Sequence, residues 1–389
     1  MVRIDDSVVT AQVLENRLGD ERTVEICPRA TVTPSAQDYI RTHKIQVMRR
    51  EAGASAARPV APASTAVSRS GRREFKGVFC PNIVIFDAQG RINRSEMERY
   101  IEWLIQAGIH GLYPNGSTGE FVRLSVEERK EVVRIIVDVN QGRVPILAGA
   151  SEANVRDVLD MAEYYAGIGV DAISLVPPYY YKISERSLYE YFAEIARSSP
   201  LDILLYNIPQ FTQELTLDIM EELLQYERIF GTKDSSRDLP RITNTIHRLR
   251  AKRPDYVVLN GCEEILLPSV VIGASGGTIA TSGIIPEVIV DLYNSAMAGD
   301  LERARVLQFR ILDLINLMLL GVNFPMGFKT GVAVRGFDVG PARQVMSNDE
   351  SDYLQRLETQ IGCILGDMGY AVNPPAACPV THLQPIVGR

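Results

Sequence analysis

The chain has 389 residues and a formal net charge of −7 at pH 7, with 46% hydrophobic and 23% charged residues. That length exceeds one ordinary domain and suits one large barrel with an appendage. The acidic balance excludes a general electrostatic footprint for nucleic acid or an anionic membrane, so any anionic substrate has to be held by a local device.

The N-terminus, Met1-Val2-Arg3-Ile4-Asp5-Asp6, lacks the apolar core of a secretory signal, and no apolar run is long enough to span a bilayer. The five cysteines (Cys27, Cys80, Cys262, Cys363 and Cys378) are scattered, without a C-x-x-C pair. They fit reduced thiols in a cytoplasm better than disulfides or zinc.

Between Asp6 and Leu18, the spacing of Val9, Val13, Leu14 and Leu18 predicts a short amphipathic helix. A strand over Thr23–Ile26 follows. Thr33-Pro34 then opens a second helix running to about His43, with Thr as N-cap and Pro at the first helical position. Ile45–Met48 alternates as a strand. Residues 1–52 thus read as a small helix–strand–helix–strand α+β appendage. It is too small to bury much core alone, so it is expected to dock or to pair with a copy of itself. Residues 53–72, rich in Ala, Pro and Ser, read as a flexible tether.

From Gly77 onward, strand-like apolar runs alternate with amphipathic helices. The predicted strands are Gly77–Ile85, Gly111–Pro114, Val144–Ala148, Ala172–Val176, Ile203–Asn207, Ile229–Lys233, Tyr256–Asn260 and Gly277–Thr281. The repeat of about 25–30 residues is that of a βα unit, and eight units in about 220 residues predict a closed (β/α)8 TIM barrel over 73–300. Residues 301–370 carry extra C-terminal helices over 301–320 and 349–368, with a turn at Asn323-Phe324-Pro325 between them. Residues 371–389 form a proline-rich tail expected to be poorly ordered.

Active sites of such barrels lie at the C-terminal ends of the strands. Ile229-Phe230-Gly231-Thr232-Lys233 closes an apolar strand on a lysine. Burying an unpaired ammonium is costly, a lysine escapes that cost by losing its proton, and the resulting amine attacks carbonyls. A surface lysine that merely follows a strand is the alternative. Tyr206, one βα repeat earlier, could relay protons, though a buried tyrosine hydroxyl also serves simply by finding a partner. Gly116-Ser117-Thr118-Gly119-Glu120 could turn backbone N–H groups toward a small carboxylate, or be an ordinary Gly-rich turn. Pro177-Pro178-Tyr179-Tyr180-Tyr181 reads first as packing or interface. Asn260-Gly261-Cys262-Glu263-Glu264 and Gly276-Gly277-Thr278-Ile279-Ala280 follow the last two strands. No P-loop, H-E-x-x-H or G-x-S-x-G motif occurs, and the four histidines (His43, His110, His247 and His382) are far apart, so metal and Ser-His-Asp chemistry have little support.

Residues of about 75–345 resemble the N-acetylneuraminate lyase / dihydrodipicolinate synthase family of pyruvate-dependent class I aldolases. Five pieces carry the resemblance, in order and at compatible barrel positions: Gly116–Glu120, Pro178-Tyr179-Tyr180, Tyr206-Asn207-Ile208-Pro209, Gly231-Thr232-Lys233-Asp234-Ser235 and Gly276-Gly277. The resemblance implies that Lys233 forms the Schiff base with a 2-oxo acid such as pyruvate. That covalent imine is the electron sink, and no separate cofactor or metal is implied. It further implies that Tyr206 moves protons with Thr118 as relay partner, and that Gly116, Ser117 and Thr118 cradle the substrate carboxylate. Tyr180 would complete a neighbour's site across a dimer interface. Ile279 and Gly261 would line the pocket, and Glu263 and Glu264 would read substrate hydroxyls.

One departure bears on substrate. Lysine-pathway synthases carry an arginine five residues past the tyrosine, where it binds the carboxylate of aspartate semialdehyde; here that residue is Phe211. An apolar ring cannot replace a bidentate guanidinium. The expected reaction is therefore an aldolase or dehydratase reaction on another 2-oxo acid, such as a 2-keto-3-deoxy sugar acid, with an aldehyde partner; Phe211 and Phe121 leave room for a less polar aldehyde. The alternatives are 4-hydroxy-tetrahydrodipicolinate synthase and a non-catalytic sensor or assembly protein on this scaffold. A homodimer or homotetramer is expected, and residues 1–52 resemble tags on enzymes packed into bacterial microcompartments.

Overall fold

The computed structural model describes residues 2–4, 8–9, 11–19, 21–27, 31–32, 34–49, 73–319, 323–370 and 372. Two compact units divide the chain, Met1–Arg72 and Arg73–Arg389. The expected tether over 53–72, the Thr33 N-cap and nearly all of the expected tail lie outside the described residues.

The first unit contains β1 (Val2–Ile4), β2 (Val8–Val9), α1 (Ala11–Leu18), β3 (Thr23–Ile26), β4 (Thr31–Val32), α2 (Pro34–Thr42) and β5 (Gln46–Arg49). The helix expected from Asp6 therefore begins later. Val8–Val9 instead pairs in parallel with Thr31–Val32, and Val9 is fully buried. Paired β-branched residues favour the extended form locally, which outweighs the helical spacing of Val9. Val24 pairs with Val2 on one side and with Val47 on the other, and Val9 pairs with Val32. These pairings recur at nearly equal intervals along the chain. The unit is thus a short-period repeat of strand, strand and helix, a periodicity the sequence reading missed. Ile4, Val9, Leu14, Leu18, Val24 and Ile26 form its core.

The second unit runs β6 (Gly77–Cys80), α3 (Arg94–Gln106), β7 (Gly111–Leu112), α4 (Val126–Asn140), β8 (Leu147–Gly149), α5 (Val155–Ile168), β9 (Ala172–Leu175), α6 (Glu185–Ser198), β10 (Asp202–Asn207), α7 (Leu217–Leu223), β11 (Ile229–Asp234), α8 (Leu239–Lys252), β12 (Val257–Asn260), α9 (Leu266–Val271), β13 (Gly276–Thr278) and α10 (Pro286–Met297). The eight strands form one parallel sheet in the order β7-β6-β13-β12-β11-β10-β9-β8, and a parallel bridge between Leu112 and Ile146 closes the ring. This is the (β/α)8 barrel. Helices α3 to α8 start on side-chain caps: Ser125 makes a full capping box with Glu128, and Asn93, Asn154, Ser184, Thr216 and Asp238 each accept from the first turn.

Two apolar clusters fill the barrel. Phe79, Tyr113, Leu147, Leu204, Tyr206, Phe230 and Leu259 belong to the inner one, and a larger set lies between strands and helices. On β10, Leu204 and Tyr206 belong to the inner set, whereas Ile203 and Leu205 belong to the outer, as the period of two requires.

Three helices follow: α11 (Leu301–Leu319), α12 (Met326–Val334) and α13 (Asn348–Asp367). Helix α12 was read only as a turn followed by unassigned chain, because glycines at 327 and 331 weaken its helical signal. Those glycines serve packing: a Cβ on Gly327 would stand 2.2 Å from the Met318 carbonyl oxygen, and one on Gly331 2.4 Å from Ile284. The C-terminal helices can approach only where these side chains are absent.

Among the described residues, no helix is long and apolar enough to cross a membrane. Cys80 and Cys262 are free thiols, whereas Cys363 on α13 is disulfide-bonded, which corrects the expectation of reduced thiols throughout.

Candidate active site

Which way Lys233 points is decided by the strand upstream of it. The β10–β11 register runs Ile203↔Ile229 and then Leu204↔Gly231, so Phe230 is an extra residue in a bulge. A shift of one residue exchanges the two faces of a strand. Past the bulge, Tyr206 pairs with Lys233 and Asn207 with Asp234. Tyr206 and Lys233 therefore share the inner face, and Asn207 and Asp234 share the outer. Phe230 itself packs on Phe75, ring centroids 4.8 Å apart.

This alternation separates Lys233 from the carboxylate next to it in sequence. Asp234 faces α8, where it accepts from Arg241 Nε at 2.8 Å, from Asn207 Nδ2 at 2.9 Å and from the Ser236 backbone N–H at 2.9 Å. Lys233, 4% exposed, makes no side-chain ion pair or hydrogen bond among the described residues. Its Nζ lies instead 4.1 Å from the ring centroid of Tyr206 and 4.7 Å from that of Tyr113. These two rings meet edge to face at 6.4 Å. Tyr113 stands just past the end of β7 and donates to Ser174 Oγ at 3.0 Å, and its burial pushes the phenol pKa well up. Sequence reasoning missed Tyr113; its position at a strand end is the signal that could have found it.

The Tyr206 hydroxyl accepts from Ser235 Oγ at 3.5 Å. Ser235, not Thr118, is thus its hydrogen-bond partner among the described residues, and Ser235 was likewise missed. A Cβ on Gly261 would stand 2.0 Å from Ser235 Oγ and 2.9 Å from Lys233 Cε, so the glycine after β12 makes room for both side chains.

The turn after β7 is tight: Gly119 donates to the Gly116 carbonyl and Glu120 to that of Ser117. The backbone N–H groups of Ser117 and Thr118 find no acceptor among the described residues. Two adjacent unsatisfied donors in such a turn make an anion-binding concavity. Asn115, in the left-handed region at φ 54°, anchors the turn by donating to the Arg129 carbonyl and to the Tyr165 hydroxyl, each at 3.0 Å.

Other expected residues sit farther from this cluster. Tyr180 is 90% exposed with φ 80°, and its ring meets that of Tyr181 edge to face. Its neighbour Tyr179 turns inward and donates to Glu152 at 2.9 Å; burial and this bond push its phenol up to about 12. Phe211 is half-exposed, with its ring 5.7 Å from that of Phe324. Glu263 is buried and accepts from the Thr281 backbone N–H at 2.9 Å, and burial raises its carboxyl pKa. Glu264 pairs with Arg237 at 3.0 Å. The Ile279 carbonyl already accepts from both the backbone N–H and the hydroxyl of Ser282. No group of three or more His, Cys, Asp or Glu side chains among the described residues could hold a metal ion.

A buried lysine with no counter-ion among the described residues, its amine over a tyrosine ring, suits Schiff-base chemistry. Comparison with known proteins agrees. Residues 74–363 match the model of the dihydrodipicolinate synthetase family. A 4-hydroxy-tetrahydrodipicolinate synthase of Methanothrix thermoacetophila is 33% identical over 76% of this chain and 99% of its own length. A protein of Escherichia coli with the provisional name 2-dehydro-3-deoxy-D-gluconate aldolase YagE is 31% identical over 67% of this chain and 87% of its own. The crystal structure of YagE in complex with pyruvate superposes with a TM-score of 0.70 at 29% identity, covering 75% of this chain and 99% of that one. The structure of CdNal from Clostridium difficile in complex with mannosamine gives 0.68 at 26% identity, covering 74% and 98%. The chain belongs to the dihydrodipicolinate synthetase family. It is an enzyme of that family's kind, a class I lyase working through a lysine Schiff base.

Proposed function

We propose that Lys233 is the Schiff-base lysine and that the substrate is a 2-oxo acid of the 2-keto-3-deoxy sugar acid type, cleaved to pyruvate and an aldehyde. The observation that carries this reading is the isolation of Lys233 Nζ over the Tyr206 and Tyr113 rings while Arg241 engages the adjacent Asp234. The Nζ lone pair adds to the ketone carbon, water leaves, and an iminium forms. Tyr206 relays the proton of the substrate hydroxyl to the enamine carbon: as the C–C bond breaks the bonding pair enters the iminium to give an enamine. Protonation of the enamine carbon and hydrolysis return pyruvate and free Lys233. The unsatisfied N–H groups of Ser117 and Thr118 hold the substrate carboxylate throughout.

Phe211 supports a substrate without a second carboxylate, since it forms an apolar wall with Phe324 where an arginine would be needed. The synthase reading draws on the Methanothrix relative. Turnover of aspartate semialdehyde with pyruvate at the rate of keto-deoxy acid cleavage would favour it.

Incubation with pyruvate and borohydride should leave a reduced pyruvate adduct on Lys233, located by peptide mass spectrometry and absent from Lys233→Ala. A wild-type protein without adduct would overturn the mechanism. Tyr180 supports an oligomer: a bulky residue at φ 80° and 90% exposed is strained and largely uncovered in the single chain. Light scattering on the full chain checks this, with a monomer as the contrary result.

A further inference from the structure

The Gly116–Glu120 turn ends on a carboxylate that reaches away from the barrel mouth into the C-terminal helices. Glu120 is 1% exposed and in the left-handed region, φ 55° and ψ 32°. Outside glycine, asparagine and aspartate this conformation is uncommon and is held by its surroundings. Here one carboxylate oxygen meets Arg123 Nη1 at 3.2 Å and the other meets Lys329 Nζ at 2.6 Å.

Lys329 lies on α12, 1% exposed, with its Nζ 4.3 Å from the ring centroid of Phe86. The Glu120–Lys329 contact is an ion pair between two buried side chains. Burial lowers the Lys329 pKa, and Glu120 opposes that shift. A buried ion pair is a poor device for stability alone, because two apolar residues of similar volume do as well or better. What this pair does that an apolar contact could not is fix one point of a polar turn. Arg123 also donates to the Phe324 carbonyl, so the same carboxylate ties the turn to the segment that precedes α12.

We propose that Lys329 is a positioning residue: acting through Glu120, it holds the Gly116–Glu120 turn so that the Ser117 and Thr118 N–H groups face the substrate carboxylate. The C-terminal helices thereby set the affinity of a site whose reacting groups all belong to the barrel. The inference rests on the Schiff-base reading above, and its test separates the two.

Pyruvate and methyl pyruvate both offer the ketone, but only pyruvate offers the carboxylate. The concentration of each giving half-maximal borohydride-trapped adduct on Lys233 is measured for the wild type, Lys329→Met, Lys329→Arg and the double variant Lys329→Met with Glu120→Leu. No adduct in the wild type with either compound overturns the Schiff-base reading itself. With adduct present, Lys329→Met should lose about tenfold in its preference for pyruvate over methyl pyruvate, the worth of one charge-assisted contact, with little change for methyl pyruvate. Lys329→Arg should restore much of that preference. If the single variant fails to fold, the double variant, which also removes the buried carboxylate that has lost its lysine, supplies the reading and should still lack the preference. Wild-type preference in either soluble variant lacking the lysine would overturn the proposal.

Discussion

At the scale of single residues, the site works by leaving things out. Lys233 has no carboxylate paired with it among the described residues, and Gly261 lacks the Cβ that would collide with Ser235 and Lys233. In Gly261→Ala the lysine has to move, and a displacement of about 1 Å in a reacting group costs on the order of a hundredfold in rate. Steady-state kinetics should show that loss in kcat, with circular dichroism and the melting temperature little changed. Glu263 gives a pH signature. Its carboxyl pKa is raised from the ordinary 4.5 by burial, so in the window above 4.5 the folded state holds its proton more tightly than the unfolded chain. Stability is then lost as pH rises from 4.5 through the raised folded value and stays reduced above it. Glu263→Gln keeps an acceptor for the Thr281 N–H and removes the charge. The melting temperature of the variant relative to wild type should therefore climb across that window and level off, and a difference independent of pH would contradict the assignment.

Among the elements, β11 shows how much of the site was legible and what was not. Its apolar run ending on a lysine is visible in the sequence, and so are Tyr206 one repeat earlier and the Gly116–Glu120 turn. Every barrel strand lies close to its expected place, because buried parallel strands leave strong apolar signals. The bulge at Phe230 leaves none, being a matter of register between two strands. It nonetheless decides that Lys233 faces Tyr206 and that Asp234 faces Arg241. Ser235 as partner of Tyr206 follows from the same register, whereas α12 was hidden by the glycines its packing requires. Arg241 is largely buried, and besides Asp234 it engages Glu214 and the Leu215 carbonyl. Removing one partner of such a pair strands the other, at a cost of about 3–5 kcal/mol. Urea unfolding of Arg241→Met should show a loss of that size. An unchanged midpoint would mean that the pair does not shape the strand end.

On the scale of the whole molecule, the chain joins two ways of pairing parallel strands. In the barrel, β6 pairs with β13, Gly77 with Gly276, so the first strand of the ring meets the last. Among the described residues of the first unit, every strand pairing is short in sequence: Val2 with Val24, Val24 with Val47 and Val9 with Val32. That difference becomes one of time. Loop closure costs entropy that rises with separation, and folding rates fall as contacts become less local. A repeat whose contacts all join neighbours behaves as a nearly one-dimensional system and can propagate from any point. The strands from β1 to β5 should therefore acquire protected amides in a fast phase, well before β6 meets β13 in the barrel ring. Pulse-labelled hydrogen exchange during refolding would reveal the two phases, and simultaneous protection of both units would refute the order. Since this unit also precedes the barrel along the chain, the small repeat would be finished while most of the barrel has yet to leave the ribosome.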